Sequence, residues 1–443
     1  EGFGLLSFAL SFAVLFSILP GLGMGTLISR DIARAPQLLN RYVSNGLMAK
    51  LLLALLTLAL IWLIGVGLGF TGTKQLIVLL AALWMVLESN VRFALSFFQA
   101  ASRMGTVAVV NLAVRAGWVI CAVLIMVSHG GIVALLGARA LMTAVGVLSS
   151  VILIDRRLQR IQWTFEPRVI WQMVKASLPF ALFRISRSLY KDTDTVMLSM
   201  MRGDLMTGWY AAAYKLRRAL DFLPTGVFDA ALPAMSRSSR DPRADLQRTV
   251  TRGSKYLLII ALPIAGGIFV LADRLVLLLY GPAYEAATPA LRLLIWTVPF
   301  VFLNSVLAAA CVAVDLERPV SAYRVFGALF NFVVNFLAIP RFGHVGAAAT
   351  TTATEALVFL LQLRLLRRTL PELVLFGQMA RPLAVVAVMM GFTWLSREVA
   401  LVYTIAGSAA LYLGLLVATR TVGREEWQVF KRLVRIKPLE EPA

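Results

Sequence analysis

Arginines at helical spacing inside apolar stretches are the residues of this chain that could do chemistry. Arg184, Arg187, Lys191 and Asp194 follow at intervals of three, four and three, which sets them on one face of a helix. Tyr214, Arg218, Asp221, Thr225 and Asp229 share a second face, with Lys215 and Arg217 beside it. Glu88, Arg92, Ser96 and Gln99 form a third, and Asn111 with Arg115, Arg139, and Arg324 with Asn331 and Asn335 add further polar positions. An ionisable group in hydrocarbon costs about 2.5–3.5 kcal/mol on the insertion scale, so each should mark a pathway or a pair. The guanidinium fork donates bidentately to oxyanions, and the chemistry expected is non-covalent binding of a pyrophosphate or an acidic sugar. Arg184, Arg187, Arg218, Arg115, Arg139, Arg92, Lys215 and Arg324 are therefore candidates to line a wet cavity. Glu88, Asp194, Asp221 and Asp229 are candidates for ion coupling or pairing. A structural reading stands beside this one. Glu88 with Arg92, and Arg218 with Asp221, are spaced to neutralise each other, while Lys191, Asp192 and Asp194 are placed to snorkel to the interface.

Other chemistries find little support. Cys121 and Cys311 both lie in apolar stretches and read as small core residues, while His129 and His344 stand alone at expected loop edges. No metal-ligand spacing occurs, and no Gly-rich phosphate cradle precedes a helix. The polar loops are too short for a catalytic domain, so neither an enzyme nor a cofactor is expected.

The elements that must position the arginines follow from composition. Of 443 residues, 59% are hydrophobic and 15% charged, with a mean hydropathy of +0.81. Soluble domains are about half apolar and a quarter charged. The apolar residues gather in blocks long enough to cross about 30 Å of hydrocarbon, as in Leu51–Leu68 and Val399–Ala418. About thirteen spans are predicted: 3–27, 46–68, 76–99, 105–127, 131–154, 177–201, 205–234, 255–272, 287–313, 320–340, 345–366, 380–396 and 399–419. The net charge of +20 does not call for a nucleic-acid partner, because the basic residues alternate between loops. One set of loops and the tail hold about 26 Lys and Arg, the other set about five, which places the first set and the C-terminus in the cytoplasm.

An internal repeat organises the spans. Gly4-Leu-Leu-Ser-Phe-Ala9 with Leu19-Pro20 matches Gly208-Trp-Tyr-Ala-Ala-Ala213 with Leu223-Pro224, and Leu39–Gly46 matches Leu246–Gly253. The halves run in the same direction, as in transporters with an axis along the membrane normal. The expected architecture is an all-α integral membrane protein with two pseudo-symmetric six-helix lobes and a C-terminal helix pair. The lobes are 1–154, lacking its first helix, and 177–366. A cytoplasmic linker at 155–176 joins them, and the helix pair at 377–419 follows. Pro20 and Pro224 should bend equivalent helices and act as hinges. In the tail 420–443, Trp427, Phe430 and Val434 fall on one face among Lys431, Arg432 and Arg435, which reads as an amphipathic helix on the anionic leaflet.

Several stretches resemble the polysaccharide flippases of the MOP superfamily, the Wzx-type O-antigen and exopolysaccharide transporters. They are Gly4 to Arg34, Leu178-Pro-Phe through Asp194-Thr-Val-Met-Leu198, Gly208 to Lys215, Leu279-Tyr-Gly-Pro-Ala-Tyr284, and Asn335 to Gly343 followed by Gly346-Ala-Ala-Ala. The resemblance implies two six-helix lobes around a cationic cavity in a bacterial inner membrane. It also implies alternating access that moves an undecaprenyl-pyrophosphate-linked oligosaccharide outwards. Membrane lipids, a glycan polymerase and other assembly proteins are the partners it suggests. Alternatives are another transporter of the superfamily, for lipid II or drugs, and a non-transporting scaffold of a glycan-synthesis complex. Drug exporters typically use acidic sites for cationic drugs, against the basic character here, and a scaffold would not need unpaired arginines within its spans.

The orientation is open to a direct test. Single cysteines in the 155–176 and 235–255 loops should resist a membrane-impermeant thiol label in intact cells, whereas cysteines near Gly130 and Gly203 should react. The reverse pattern would overturn the topology.

Overall fold

The computed structural model describes residues 2–17, 19–34, 36–221, 242–314, 316–371, 373 and 380–419. Side chains at 26, 29–30, 33–34, 36, 178–192, 242–245, 312, 317 and 380 are outside that description. Pro224, Asp229 and the tail 420–443 lie outside the described residues. Among those described, helices and turns form the chain and no strand occurs.

In chain order the helices are α1 (Gly2–Leu15), α2 (Met24–Arg34), α3 (Leu39–Gly67), α4 (Gly72–Ala100) and α5 (Met104–Val127). Next come α6 (Ile132–Arg157), α7 (Pro167–Arg202), α8 (Asp204–Arg218), α9 (Pro242–Val270) and α10 (Ala272–Tyr280). The last five are α11 (Thr288–Leu294), α12 (Thr297–Ala313), α13 (Glu317–Thr369), α14 (Ala380–Leu395) and α15 (Leu401–Ala418). Eight helical segments of the described residues are long and apolar enough to cross a membrane, so the chain is a multi-pass membrane protein. The segment α7 is 36 residues long and carries the arginine face of the sequence.

Four expected spans differ in detail. The first is broken rather than bent: α1 stops at Leu15, α2 starts at Met24, and Leu22 and Gly23 between them take φ of 39° and 72°. The sixth begins ten residues before its apolar stretch, because Pro167 occupies its first turn, where a missing N–H costs nothing. The tenth and eleventh are the two arms of α13, which fold back at Gly343 (φ 58°, ψ −136°). Asn331 Nδ2 donates to Thr354 Oγ1 at 3.4 Å. In a straight helix residues 23 positions apart would be about 35 Å apart.

Two compact units divide the chain between Gly208 and Trp209. In the first, Phe8, Phe12, Val78, Ala81 and Met85 make one buried cluster, and Met24, Ile28, Phe93 and Phe97 another. In the second, Leu257, Ala261, Phe302, Leu307, Phe359 and Val386 pack α9, α12, α13 and α14 together. Large apolar side chains such as Leu112, Ile120 and Leu124 on α5 stay exposed, as expected of a surface solvated by lipid.

The repeat has a physical counterpart in the first unit. Gly4 and Gly208, equivalent positions of the two copies, face each other. A Cβ on Gly208 would lie 3.3 Å from Gly4 N, and one on Gly4 would overlap the Asp204 carbonyl oxygen. Small residues allow this backbone approach, which in lipid supplies packing that hydrophobicity cannot. Asp204, beside the crossing, accepts from Ser199 Oγ at 2.6 Å and faces Lys74 Nζ at 3.5 Å. Lys74 in turn lies over the rings of Phe8 and Phe70.

Replacing Gly4 by alanine should therefore destabilise the protein by about 1–3 kcal/mol, the usual cost of overpacking. Gly137 on α6, where an added methyl would meet nothing within 4 Å, should tolerate alanine without loss. Thermal unfolding of the two variants in detergent checks the contrast, and equal melting would remove the close-approach argument.

Candidate functional site

In the first unit the polar centre forms around the break in the first span. Breaking a helix frees carbonyls that hydrocarbon cannot satisfy. Lys50 of α3, only 2% exposed, directs its ammonium at the Pro20 carbonyl and donates to Ser89 Oγ at 2.7 Å. The same ammonium lies 5.6 Å from the centre of the Phe93 ring. Pro20 thus sits in the interruption itself, held by a cation from a neighbouring helix.

The expected cavity residues of this unit divide into four groups. Arg92 pairs with Glu88 at 3.3 Å on α4, and both remain partly exposed. Arg139 of α6 is sandwiched between Trp84 and Trp118, 3.7 and 4.8 Å from their ring centres, with Glu88 near enough to act on it electrostatically. Its charge is met by π-faces, an arrangement worth more in a desolvated setting than in water. Arg115 is exposed on α5 and has no polar partner among the described residues. Arg184 and Arg187 lie in the helical run of α7, as their spacing predicts, and their side chains are outside the described set. Asp194, on the same helix, is buried.

The second unit holds a larger network. Arg217 of α8 is 6% exposed; its Nε donates to Thr297 Oγ1 at 2.7 Å and its Nη1 lies 3.0 Å from Asp221 Oδ1. The expected pairing of Arg218 with Asp221 is thus replaced by one a residue earlier. Thr297 on α12 fixes Arg217 on the buried side, and Asp221 follows it four residues on. Arg218 is exposed, 5.5 Å from the Tyr214 ring, and Lys215 is exposed beside it. Tyr210 stacks on Tyr214 and its hydroxyl lies 3.2 Å from Thr351 Oγ1. Glu355, buried on the second arm of α13, accepts from Asn304 Nδ2 at 3.0 Å and acts electrostatically on Arg217. On the first arm Asn335 and Asn331 are buried and bonded to each other, whereas Arg324 is exposed without a partner among the described residues.

Three functional candidates were not singled out by spacing. Lys50 and Glu355 are lone charges in apolar spans, and that isolation was the available signal. Arg217 stood next to the face on which Arg218 was counted. The two cysteines are free, Cys311 buried and Cys121 half-buried. His344 Nε2 lies 2.7 Å from the Ala286 carbonyl. Among the described residues no group of three metal-ligating side chains gathers.

A described family, polysaccharide biosynthesis protein, matches residues 1–239, and the MatE family matches 179–337. The "Putative O-antigen transporter" of Shigella dysenteriae is 24% identical over 79% of this chain and 88% of its own length. The "Probable flippase AglR" of Haloferax volcanii is 27% identical over 56% of this chain, and the match spans only 54% of that relative. Among solved structures, "Lipid II flippase MurJ, inward closed conformation" superposes with a TM-score of 0.73 over 95% of this chain and 97% of its own, at 13% identity. The structure titled "Inward-facing conformation of a multidrug resistance MATE family transporter of the MOP superfamily" gives 0.55 over 84% and 89%, at 16% identity. At those identities the two structures speak for the fold alone. These two relatives and two structures are transporters and flippases by name. With more than half its length matched, the chain belongs to the polysaccharide biosynthesis protein family.

Proposed function

We propose that this protein flips a lipid-linked oligosaccharide across a bacterial inner membrane. The observation that carries the reading is the combination of family with intramembrane cations: a polysaccharide biosynthesis protein whose spans hold far more arginine than a lipid-facing bundle tolerates. The names of the O-antigen transporter and flippase relatives support a lipid-linked glycan as cargo. An undecaprenyl-pyrophosphate carrier fits the chemistry, because a pyrophosphate offers adjacent oxyanions to guanidinium forks while the lipid tail stays in the bilayer.

In this mechanism Arg184 and Arg187, one turn apart, grip the pyrophosphate and any acidic sugar. Arg218, Lys215, Arg115, Arg92 and Arg324 add to the cationic lining, and Arg139 contributes from its tryptophan sandwich. Alternating access carries the headgroup through, with the interruption at Pro20 as a deformable point. The basic loops and the C-terminus face the cytoplasm, where the glycan is loaded. A polymerase and other assembly proteins would take up the product on the far side.

A strain lacking the protein should accumulate lipid-linked repeat units on the cytoplasmic leaflet, and the accumulated glycan names the cargo. Normal export in that strain would overturn the reading. In the complemented strain, Arg184→Ala with Arg187→Ala should lower export per molecule of membrane protein by about tenfold or more, from about 1.5–3 kcal/mol for each charge-assisted hydrogen bond. Lysine at both positions should fall between, since it keeps charge and loses the fork.

Arg217 calls for a different outcome. It is a buried partner of Asp221 and Thr297, so Arg217→Ala should reduce the amount of folded protein. The loss should lie toward the lower end of about 3–5 kcal/mol, because Asp221 keeps some solvent. Adding Asp221→Ala should restore part of it. Immunoblots of membranes and detergent melting curves report the effect, and unchanged abundance with lost export would instead move Arg217 into the substrate path.

A further inference from the structure

We infer that residues 159–171, the linker after α6 and the first turns of α7, form a docking surface for anionic phospholipid headgroups on the side of the membrane where the basic loops lie. The side rests on the orientation proposed above; the surface itself rests on how this linker is held.

The linker is strapped to the start of α3 by alternate residues. Gln162 exchanges hydrogen bonds with Asn40, its backbone N–H reaching Asn40 Oδ1 at 3.1 Å. Thr164 donates from its N–H and accepts at its carbonyl from the buried Ser44 hydroxyl, both at 2.8 Å. Glu166 donates its N–H to Asn45 Oδ1 at 2.7 Å, and its carboxylate takes Arg41 in a two-point bridge of 3.1 and 2.5 Å. Residues 162, 164 and 166 are tied to α3 through their backbone N–H groups, and Trp163 and Phe165 between them are 65% and 58% exposed. Trp171, on the first turns of α7, is 67% exposed as well.

An aromatic group of this kind is costly in water and suited to the headgroup layer, where an amphipathic ring has both an apolar and a wet neighbour. The charge around it fits one occupant. Arg160, Arg168 and Lys175 are exposed, and none has an acidic partner among the described residues. The local acids are already engaged: Glu166 by Arg41, and Asp155 by the N–H of Ile161 at 2.8 Å. The hydrogen bond from Arg41 also holds the Glu166 carboxyl below the usual carboxylate range. Rigid aromatics amid unmatched cations are complementary to anionic headgroups, and basic residues near such a surface strengthen binding about fivefold each.

The test uses the full chain in proteoliposomes, with Cys121 and Cys311 replaced by serine and a bimane on a single cysteine at 163 or 165. In phosphatidylglycerol vesicles, lipids brominated near the headgroup should quench either dye, and aqueous iodide should quench it poorly. Arg160→Ser, Arg168→Ser and Lys175→Ser together should lower the preference of the protein for phosphatidylglycerol over phosphatidylcholine by about a hundredfold in lipid-competition measurements. Dyes that iodide quenches freely and brominated lipid leaves untouched would overturn the proposal, as would an unchanged lipid preference in the triple variant. Neither readout involves glycan, so either result leaves the transport reading to stand or fall on export.

Discussion

A polar group in hydrocarbon must find its partner inside the protein, and most of this structure follows from that constraint. Interrupting the first span leaves a carbonyl that no helix supplies with a donor, and Lys50 crosses from α3 to meet it. Arg217 enters the apolar packing of the second unit only because Thr297 and Asp221 receive its fork. Arg139 solves the same problem with two tryptophan faces. Each solution draws on a neighbouring helix, so the charges also fix which helices adjoin and in what rotation.

The small residues do the complementary work. Lipid tails are as apolar as leucine, so helix association in a membrane gains from close packing rather than from removal of water. Gly4 and Gly208 let backbones meet, and Gly346 lies close enough to the Ala338 carbonyl that the two arms of α13 can fold together past Gly343. At Gly343 and Gly23 the backbone takes φ values that a side chain would disfavour. The transport reading needs elements that change conformation, and these interruptions are where the helices have already given up regular hydrogen bonding.

Polar side chains outside the hydrocarbon serve a different end. The linker after α6 has no helix or sheet to satisfy its backbone, and Asn40, Ser44 and Asn45 supply the missing partners from the end of α3. Ser44 and Asn45 are fully buried in doing so. Part of the repeated Leu39–Gly46 motif thereby acquires a local task in the first copy, and the linker gains a fixed face.

The class of the protein and most of its helices are legible in the order of residues alone. Blocks of apolar residues as long as a bilayer is thick have few other stable forms, and the arginine run of α7 follows helical spacing without help from neighbours. The match of Gly4 with Gly208 was equally legible, as a repeat. What those residues touch came from the packing of the helices. Spacing allowed Asp221 either Arg217 or Arg218, because three and four residues are nearly equivalent on a helix, and Thr297 on another helix selected the first. Nor could spacing pair Lys50 with Pro20, or seat Arg139 between Trp84 and Trp118. Those contacts join residues far apart in the chain, and their energy is set by the dielectric and the geometry of the packed helices.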